Sequence, residues 1–188
     1  MNPGARTPND PHGMTLTGRS EKDWNLMAHT PWWRGRRGEW YVVIQFAIFL
    51  LIAFGPRTWP GLPGWGYPFV RIGTLTGGCL LILGGLFTAA GFYSLGTNLT
   101  VLPRPRENAR LVETGAYRLV RHPIYAGLVI AALGWGLLVH GWLTIGYAIL
   151  LCIFLDLKAR REERWLREKF PEYAAYQKRV ARLIHFIY

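Results

Sequence analysis

Cysteine is scarce here. Cys79 and Cys152 are the only two in 188 residues, and both fall inside apolar runs. That placement suits small hydrophobes and leaves no disulfide framework. The sequence also has no cluster of metal-ligand spacing and no lipidation box. Charge is thin as well, at 18% of residues against 51% hydrophobic, with eleven Asp and Glu facing twenty-two Lys and Arg. Soluble domains carry more charge than this, so a membrane protein is the better expectation. The first thirty residues lack the apolar core of a cleaved signal peptide. Rich in Gly, Pro, Asn and Thr, they read as a disordered or loosely attached cytoplasmic tail over 1–35, ahead of one membrane-embedded domain over 36–188.

Apolar sequence, by contrast, is abundant. Four stretches, 40–54, 72–95, 123–139 and 142–157, are each about long enough to cross ~30 Å of hydrocarbon at ~1.5 Å per residue. The first is short, and Trp32 and Trp33 before it or Trp59 after it can extend it. The second carries no charge over its whole length, which argues against a buried helix of a soluble protein. The expected fold is an all-α integral membrane protein of about four transmembrane helices, five at most. Its C-terminal helical segment lies in the cytoplasm.

A net charge of +11 and a pI near 10.2 would suit nucleic acid if composition were all there was. Position decides otherwise. Twenty of the twenty-two Lys and Arg precede the first stretch, lie between the second and third, or follow the fourth. This is the positive-inside pattern for four helices with both termini in the cytoplasm, consistent with a bacterial inner membrane. The basic excess is a topology signal, and no nucleic-acid partner is needed to explain it.

Polar chemistry gathers on that same side, in 96–122 and 158–188. The loop FGPRTWPGLPGWGYPF (54–69) reads as an external cap, and His140-Gly141 as a tight turn between the third and fourth helices. Gly77, Gly78, Gly84, Gly85 and Gly91 permit close helix packing. In YRLVRHPIYAG (117–127), Pro123 suits a first helical position. Arg121 and His122 then stand at a helix N-terminus, where backbone N–H groups, a guanidinium and a ring donor favour an anion. Tyr117 and Tyr125 add hydroxyls and ring faces, and Gly127 allows a backbone or a flat ring to approach. Ordinary snorkelling anchors remain an equal reading of Arg121 and His122. Glu162 and Glu163 stand on the helix that leaves the membrane on the same side. As neighbours on a helix, at most one is expected to face a shared pocket. Asn98 supplies an orienting amide or a helix cap, and Pro171 is expected to restart the final helix.

Four segments together carry a resemblance: LGTNLTVLPRP (95–105), LVETGAY (111–117), RHPIYAG (121–127) and EERWLREKFPEYAAY (162–176). In order and spacing the chain resembles the isoprenylcysteine carboxyl methyltransferase family and its bacterial and phospholipid-methyltransferase relatives. The resemblance implies an integral membrane enzyme using S-adenosyl-L-methionine, with a lipophilic substrate arriving from the bilayer. It implies a cofactor pocket of Tyr117, Arg121, His122, Pro123, Tyr125, Gly127, Glu162 and Glu163. Arg121 would orient a carboxylate acceptor, and His122 or Glu163 would act as base if the acceptor is an amine or hydroxyl. No metal is implied. Lys158 stands where members often carry Arg, and Pro171 where Gly usually follows Phe170. Two other functions compete: a membrane sterol-type reductase using NADPH, which shares a related C-terminal motif, and a non-catalytic scaffold that binds lipid.

Overall fold

The computed structural model describes residues 39–96 and 111–183, all within one compact unit, Arg37–Tyr188. The tail, Asn98 and most of the 95–105 segment lie outside the described residues. Among the described residues five α-helices follow in order: α1 (Glu39–Phe54), α2 (Phe69–Leu95), α3 (Pro123–Leu138), α4 (Trp142–Lys169) and α5 (Tyr173–Arg179). A 3₁₀ turn, Gly115–Arg118, precedes α3. Among the described residues there is no strand, only one parallel bridge between Val120 and Ala181.

Two of the four expected spans, Phe69–Leu95 and Trp142–Lys169, are long and apolar enough to cross a membrane. Trp40–Phe54 and Pro123–Leu138 are shorter apolar helices. At ~1.5 Å per residue those two reach only about 24 Å, short of a full hydrocarbon core. The outward face of α2 carries Ile72, Leu75, Ile82, Leu83 and Leu86, all exposed. So large an apolar surface calls for lipid rather than water.

The four buried residues of α2 are all glycines: Gly73, Gly77, Gly84 and Gly91. The last three recur every seven positions: Gly77 meets Gly134 of α3, Gly84 meets Gly127, and Gly91 meets Ile124 and Pro123 at the helix start. A methyl built on Gly134 would lie 2.5 Å from Leu81 N and 2.7 Å from Gly77 O. The two backbones therefore touch, as small residues allow in lipid. Gly78 and Gly85 face open space, so the glycine pattern of α2 serves the interior of this bundle. Elsewhere the core is aliphatic, with Ile48 of α1, Val129 and Ala132 of α3, and Ala148, Leu151 and Leu155 of α4.

At one end of the bundle, the loop between α1 and α2 is tied to the turn between α3 and α4. Leu143 N donates to Arg57 O at 3.0 Å, and Trp142 Nε1 donates to Pro63 O at 2.8 Å. His140, in the left-handed region at φ 52°, forms the turn, and its Nε2 lies 3.0 Å from Val70 O. At the other end α4 runs past its apolar part as a straight continuation, and its C-terminal half carries both acids of the expected site. Pro171 does not begin the last helix. It sits in the turn after Phe170, and α5 starts at Tyr173 behind Glu172.

Candidate functional site

Two local devices set up the site. Pro123 at the first position of α3 fixes the helix start, so His122 takes the N-cap backbone position and its C=O accepts from Ala126 N at 3.0 Å. Beyond α5 the chain returns alongside this start, where Arg121 N donates to Ala181 O at 2.8 Å and His122 N to Arg182 O at 3.1 Å. Tyr176 of α5 fastens the strap further by donating its hydroxyl to Tyr117 O at 2.6 Å.

Glu163 is the hub. Its Oε1 accepts from Arg121 Nε at 2.8 Å and from His122 Nε2 at 3.3 Å, and its Oε2 accepts from Gln177 Nε2 at 3.0 Å and Arg182 Nε at 3.2 Å. With four donors on one carboxylate and 1% of its side chain exposed, it has little room for a ligand. Burial alone would raise its pKa. The hydrogen bonds from His122 and Arg121, together with their charges, outweigh burial and hold it down at about 2.

Glu162 is arranged differently. It accepts from Tyr125 Oη at 2.5 Å, and its Oε2 lies 3.6 Å from His122 Nδ1, too far for a hydrogen bond. Burial pushes its pKa up; Glu163 adds to the rise, and the His122 and Lys158 charges and the Tyr125 bond only partly offset it. Both neighbouring acids stand beside His122, one on each side of the ring, but Glu163 is the one paired with Arg121, and Glu162 is the one that keeps acceptor capacity. Helix α4 can do this because His122 sits at the tip of α3, where a side chain can lie between two adjacent positions of a crossing helix.

Three expected roles change with this geometry. Arg121 is not a free anion receptor: besides Glu163, its guanidinium donates to Gln177 O at 3.1 Å and to Val180 O. Gly127 does not face a ligand, because a methyl there would lie 2.6 Å from Thr88 N and 2.7 Å from Gly84 O of α2. Glu163, held near 2 and saturated with donors, is a poor proton acceptor beside Glu162. Pro123 is fully buried and shapes the helix start. Tyr125 stacks on His122 with ring planes 2° apart and centroids 5.5 Å apart. Burial first and the charge of Glu162 second push the Tyr117 hydroxyl up, which puts Tyr117 within the field of that acid.

Gln177, Arg182, Asp156 and Gln45 escaped the sequence reading. Arg182 bridges Glu163 and Asp156, donating to Asp156 Oδ1 at 3.0 Å. Buried Lys158, 3% exposed, donates to Gln45 Oε1 of α1 at 2.7 Å and stands 5.2 Å above the Tyr125 ring. The amphipathic spacing of the C-terminal segment hints that it packs on something. No local signal says which residue receives it.

Residues 72–173 match the phospholipid methyltransferase family. The chain belongs to that family. The match ends at Tyr173, so it takes in the RHP turn and both acids but not the strap of Gln177 to Arg182. The chain is similar to the cobalt-zinc-cadmium resistance protein CzcN of Cupriavidus metallidurans, at 32% identity over 148 residues covering 78% of this chain and 62% of that protein. It is also similar to the protein-S-isoprenylcysteine O-methyltransferase of Saccharomyces cerevisiae, at 32% identity over 58% of this chain and 48% of that one. A third likeness is to the steroid 5-alpha-reductase DET2 of Arabidopsis thaliana, at 29% identity over 57% and 42%. The chain thus spans less than two thirds of the length of each of these relatives. In fold it is similar to the solved structure of the eukaryotic intramembrane Ras methyltransferase, an isoprenylcysteine carboxyl methyltransferase. The TM-score is 0.57 at 22% identity, covering 93% of this chain and 60% of that one. This family member is a membrane protein, in keeping with its two long apolar helices.

Proposed function

We propose that this phospholipid methyltransferase family member transfers a methyl group from S-adenosyl-L-methionine to a lipophilic acceptor that reaches the site from the bilayer. The observation that carries the reading is the pair Glu162 and Glu163, which grip one histidine at a helix start while their environments push their pKa values in opposite directions. Paired acids driven apart in this way support the reading of a site over that of a simple scaffold.

The donor set fits the proposed cofactor. Glu162 keeps acceptor capacity for a ribose hydroxyl or an ammonium, Tyr117 and Tyr125 offer hydroxyls, and the stacked His122 and Tyr125 rings offer a flat face. When bound, the cofactor supplies an electrophilic methyl on a sulfonium. Glu162 would accept from the ligand; Glu163 and Arg121 would position the histidine and the strap without touching it. Loss of positive charge in such a displacement favours a site with little water, and buried walls provide that. A carboxylate acceptor is already ionised. An amine or hydroxyl acceptor needs a base, and Glu162 or His122 is placed for it. In this reading the site lies at the cytoplasmic edge of a four-helix bundle with both termini on that side, and isoprenylcysteine-like carboxylates and other lipids remain acceptor classes.

Calorimetric titration of the detergent-purified chain with S-adenosylhomocysteine, and separately with NADPH, tests the reading. Saturable binding of the first, weakened by Glu162→Gln and by His122→Ala, is the expected result. Binding of NADPH alone would favour a reductase instead, the reading that the likeness to DET2 supports. Binding of neither by folded protein would defeat both.

A further inference from the structure

Helices α1 and α4 meet above the apolar part of the bundle, and two cations line their seam. Arg161, half-buried, has its guanidinium carbon 5.8 Å from the Tyr41 ring centroid on α1 and 5.3 Å from the Trp165 ring centroid on α4. Its Nε is buried and has no hydrogen-bond partner. Three residues earlier, on the same helical face, Lys158 is buried against Gln45 and the Tyr125 ring. Among the described residues neither cation has a carboxylate within 4.0 Å. Of the nearby acids, Glu162 bonds to Tyr125 and acts on Lys158 through its charge alone, Glu163 is taken by its four donors, and Asp156 by Arg160 and Arg182.

A buried guanidinium nitrogen without a partner, as at Arg161 Nε, is costly, and a chain keeps one where an anion arrives from outside. An arginine held between two aromatic rings is already immobilised, with the edge of its fork left for a planar or tetrahedral oxyanion. Depth fits as well. The apolar run of α4 ends at Leu157, so Arg161 stands roughly 6 Å further along the axis, in the zone of lipid headgroups, flanked by the Tyr and Trp that favour that zone.

We infer that the seam between α1 and α4 is a binding site for the phosphate of an anionic phospholipid, with Arg161 as its principal ligand and Lys158 as its second charge. This goes beyond the proposed methyl transfer and does not depend on it. Such a lipid would clamp α1, the shorter helix, against α4 beside the Glu162 site.

Native mass spectrometry of the delipidated full chain provides the test, with dioleoyl phosphatidylglycerol, dioleoylglycerol and inorganic phosphate as separate probes. Phosphatidylglycerol is expected to bind at least roughly ten-fold tighter than dioleoylglycerol, which has the same tails without the phosphate. Arg161→Gln should bring it down to the dioleoylglycerol level, and Arg161→Lys should recover part of the difference. Equal binding of the two lipids, or phosphatidylglycerol binding unchanged in Arg161→Gln, overturns the site. Inorganic phosphate bound as tightly as the lipid overturns the lipid as occupant. Should Arg161→Gln fail to fold, Trp165→Leu removes one of the two rings and is expected to weaken phosphatidylglycerol several-fold. The lipid comparison on the unaltered chain needs no variant.

Discussion

Arg121 donates its Nε to Glu163 at 2.8 Å with both side chains buried, 9% and 1% exposed, so the two charges depend on each other. Removing one partner of such a pair typically costs about 3–5 kcal/mol, because the other charge is left uncompensated. Glu163→Ala would strand Arg121 and also deprive Arg182 and His122 of an acceptor. It is expected to lower the thermal midpoint of the detergent-solubilised chain sharply, with Glu163→Gln in between. A midpoint within a degree of the parent for Glu163→Ala would refute the hub role.

The same carboxylate gives stability a pH dependence. Its pKa falls from an ordinary 4.5 to about 2 on folding, so the ionised form is the one the folded state prefers. That contribution is fully present above about 4.5 and is lost as pH falls toward 2. By linkage it amounts to about 3 kcal/mol at most. Glu162 works the other way: its raised pKa makes its burial less costly at low pH. Unfolding midpoints recorded from pH 6 to pH 2.5 should decline in the parent and flatten in Glu163→Gln. A parallel decline in both would assign the acid sensitivity to other groups.

The division of labour between the acids is separately testable by ligand affinity. Glu162→Gln removes the carboxylate that has spare acceptor capacity while leaving the Arg121, Gln177 and Arg182 network intact. It is expected to weaken S-adenosylhomocysteine by roughly ten-fold or more with little change in thermal midpoint, since a charge-assisted hydrogen bond is worth about 1.5–3 kcal/mol. Unchanged affinity in a folded Glu162→Gln protein would remove Glu162 from the ligand.

Much of this was legible in the chain, for reasons particular to each piece. Helix starts and stops follow from Pro123, from His140-Gly141 and from the unbroken apolar run of 72–95, all of which act locally. The membership of Tyr117, His122, Tyr125 and the two acids in one cluster was implied by the family resemblance that the RHP and EE segments carry. What could not be read is long-range. The pairing of Arg121 with Glu163, the strap that brings Gln177 and Arg182 to that acid, and the closure of α2 onto Gly127 all depend on how helices cross. Gly127 shows the difficulty best, because a glycine that admits a ligand and one that admits a neighbouring helix look the same in sequence.

Two tyrosines of α5 make a contrasting pair. The Tyr176 hydroxyl donates to Tyr117 O at 2.6 Å, whereas the Tyr173 hydroxyl is buried and unpartnered among the described residues. Tyr176→Phe is expected to cost about 1 kcal/mol and to loosen the strap, seen as faster amide exchange at Arg121 and His122, whose N–H groups bond to it. Tyr173→Phe removes an unsatisfied polar atom and should be neutral or stabilising. Reversal of that order in thermal midpoints would contradict the hydrogen-bond assignment.

The glycine seam makes the sharpest prediction about packing, because α2 carries glycines on two faces and only one of them is closed. A methyl on Gly84 would meet Gly127 O at 2.6 Å, and one on Gly134 would meet Leu81 N at 2.5 Å, whereas Gly78 and Gly85 have nothing within 4 Å. The atoms in the way are backbone, so they can yield only if α2 and α3 move apart. Overpacking of this kind costs about 1–3 kcal/mol. Gly84→Ala and Gly134→Ala should therefore destabilise. Gly78→Ala and Gly85→Ala should be neutral or gain up to about 1 kcal/mol from helix propensity. The same separation would pull the start of α3, where Gly91 packs on Ile124 and Pro123, away from its neighbour. S-adenosylhomocysteine affinity should accordingly fall in Gly84→Ala even though that residue packs on a neighbouring helix, and it should hold in Gly85→Ala. Equal behaviour of the two alanine variants, in stability and in binding, would mean that the seam does not position the site.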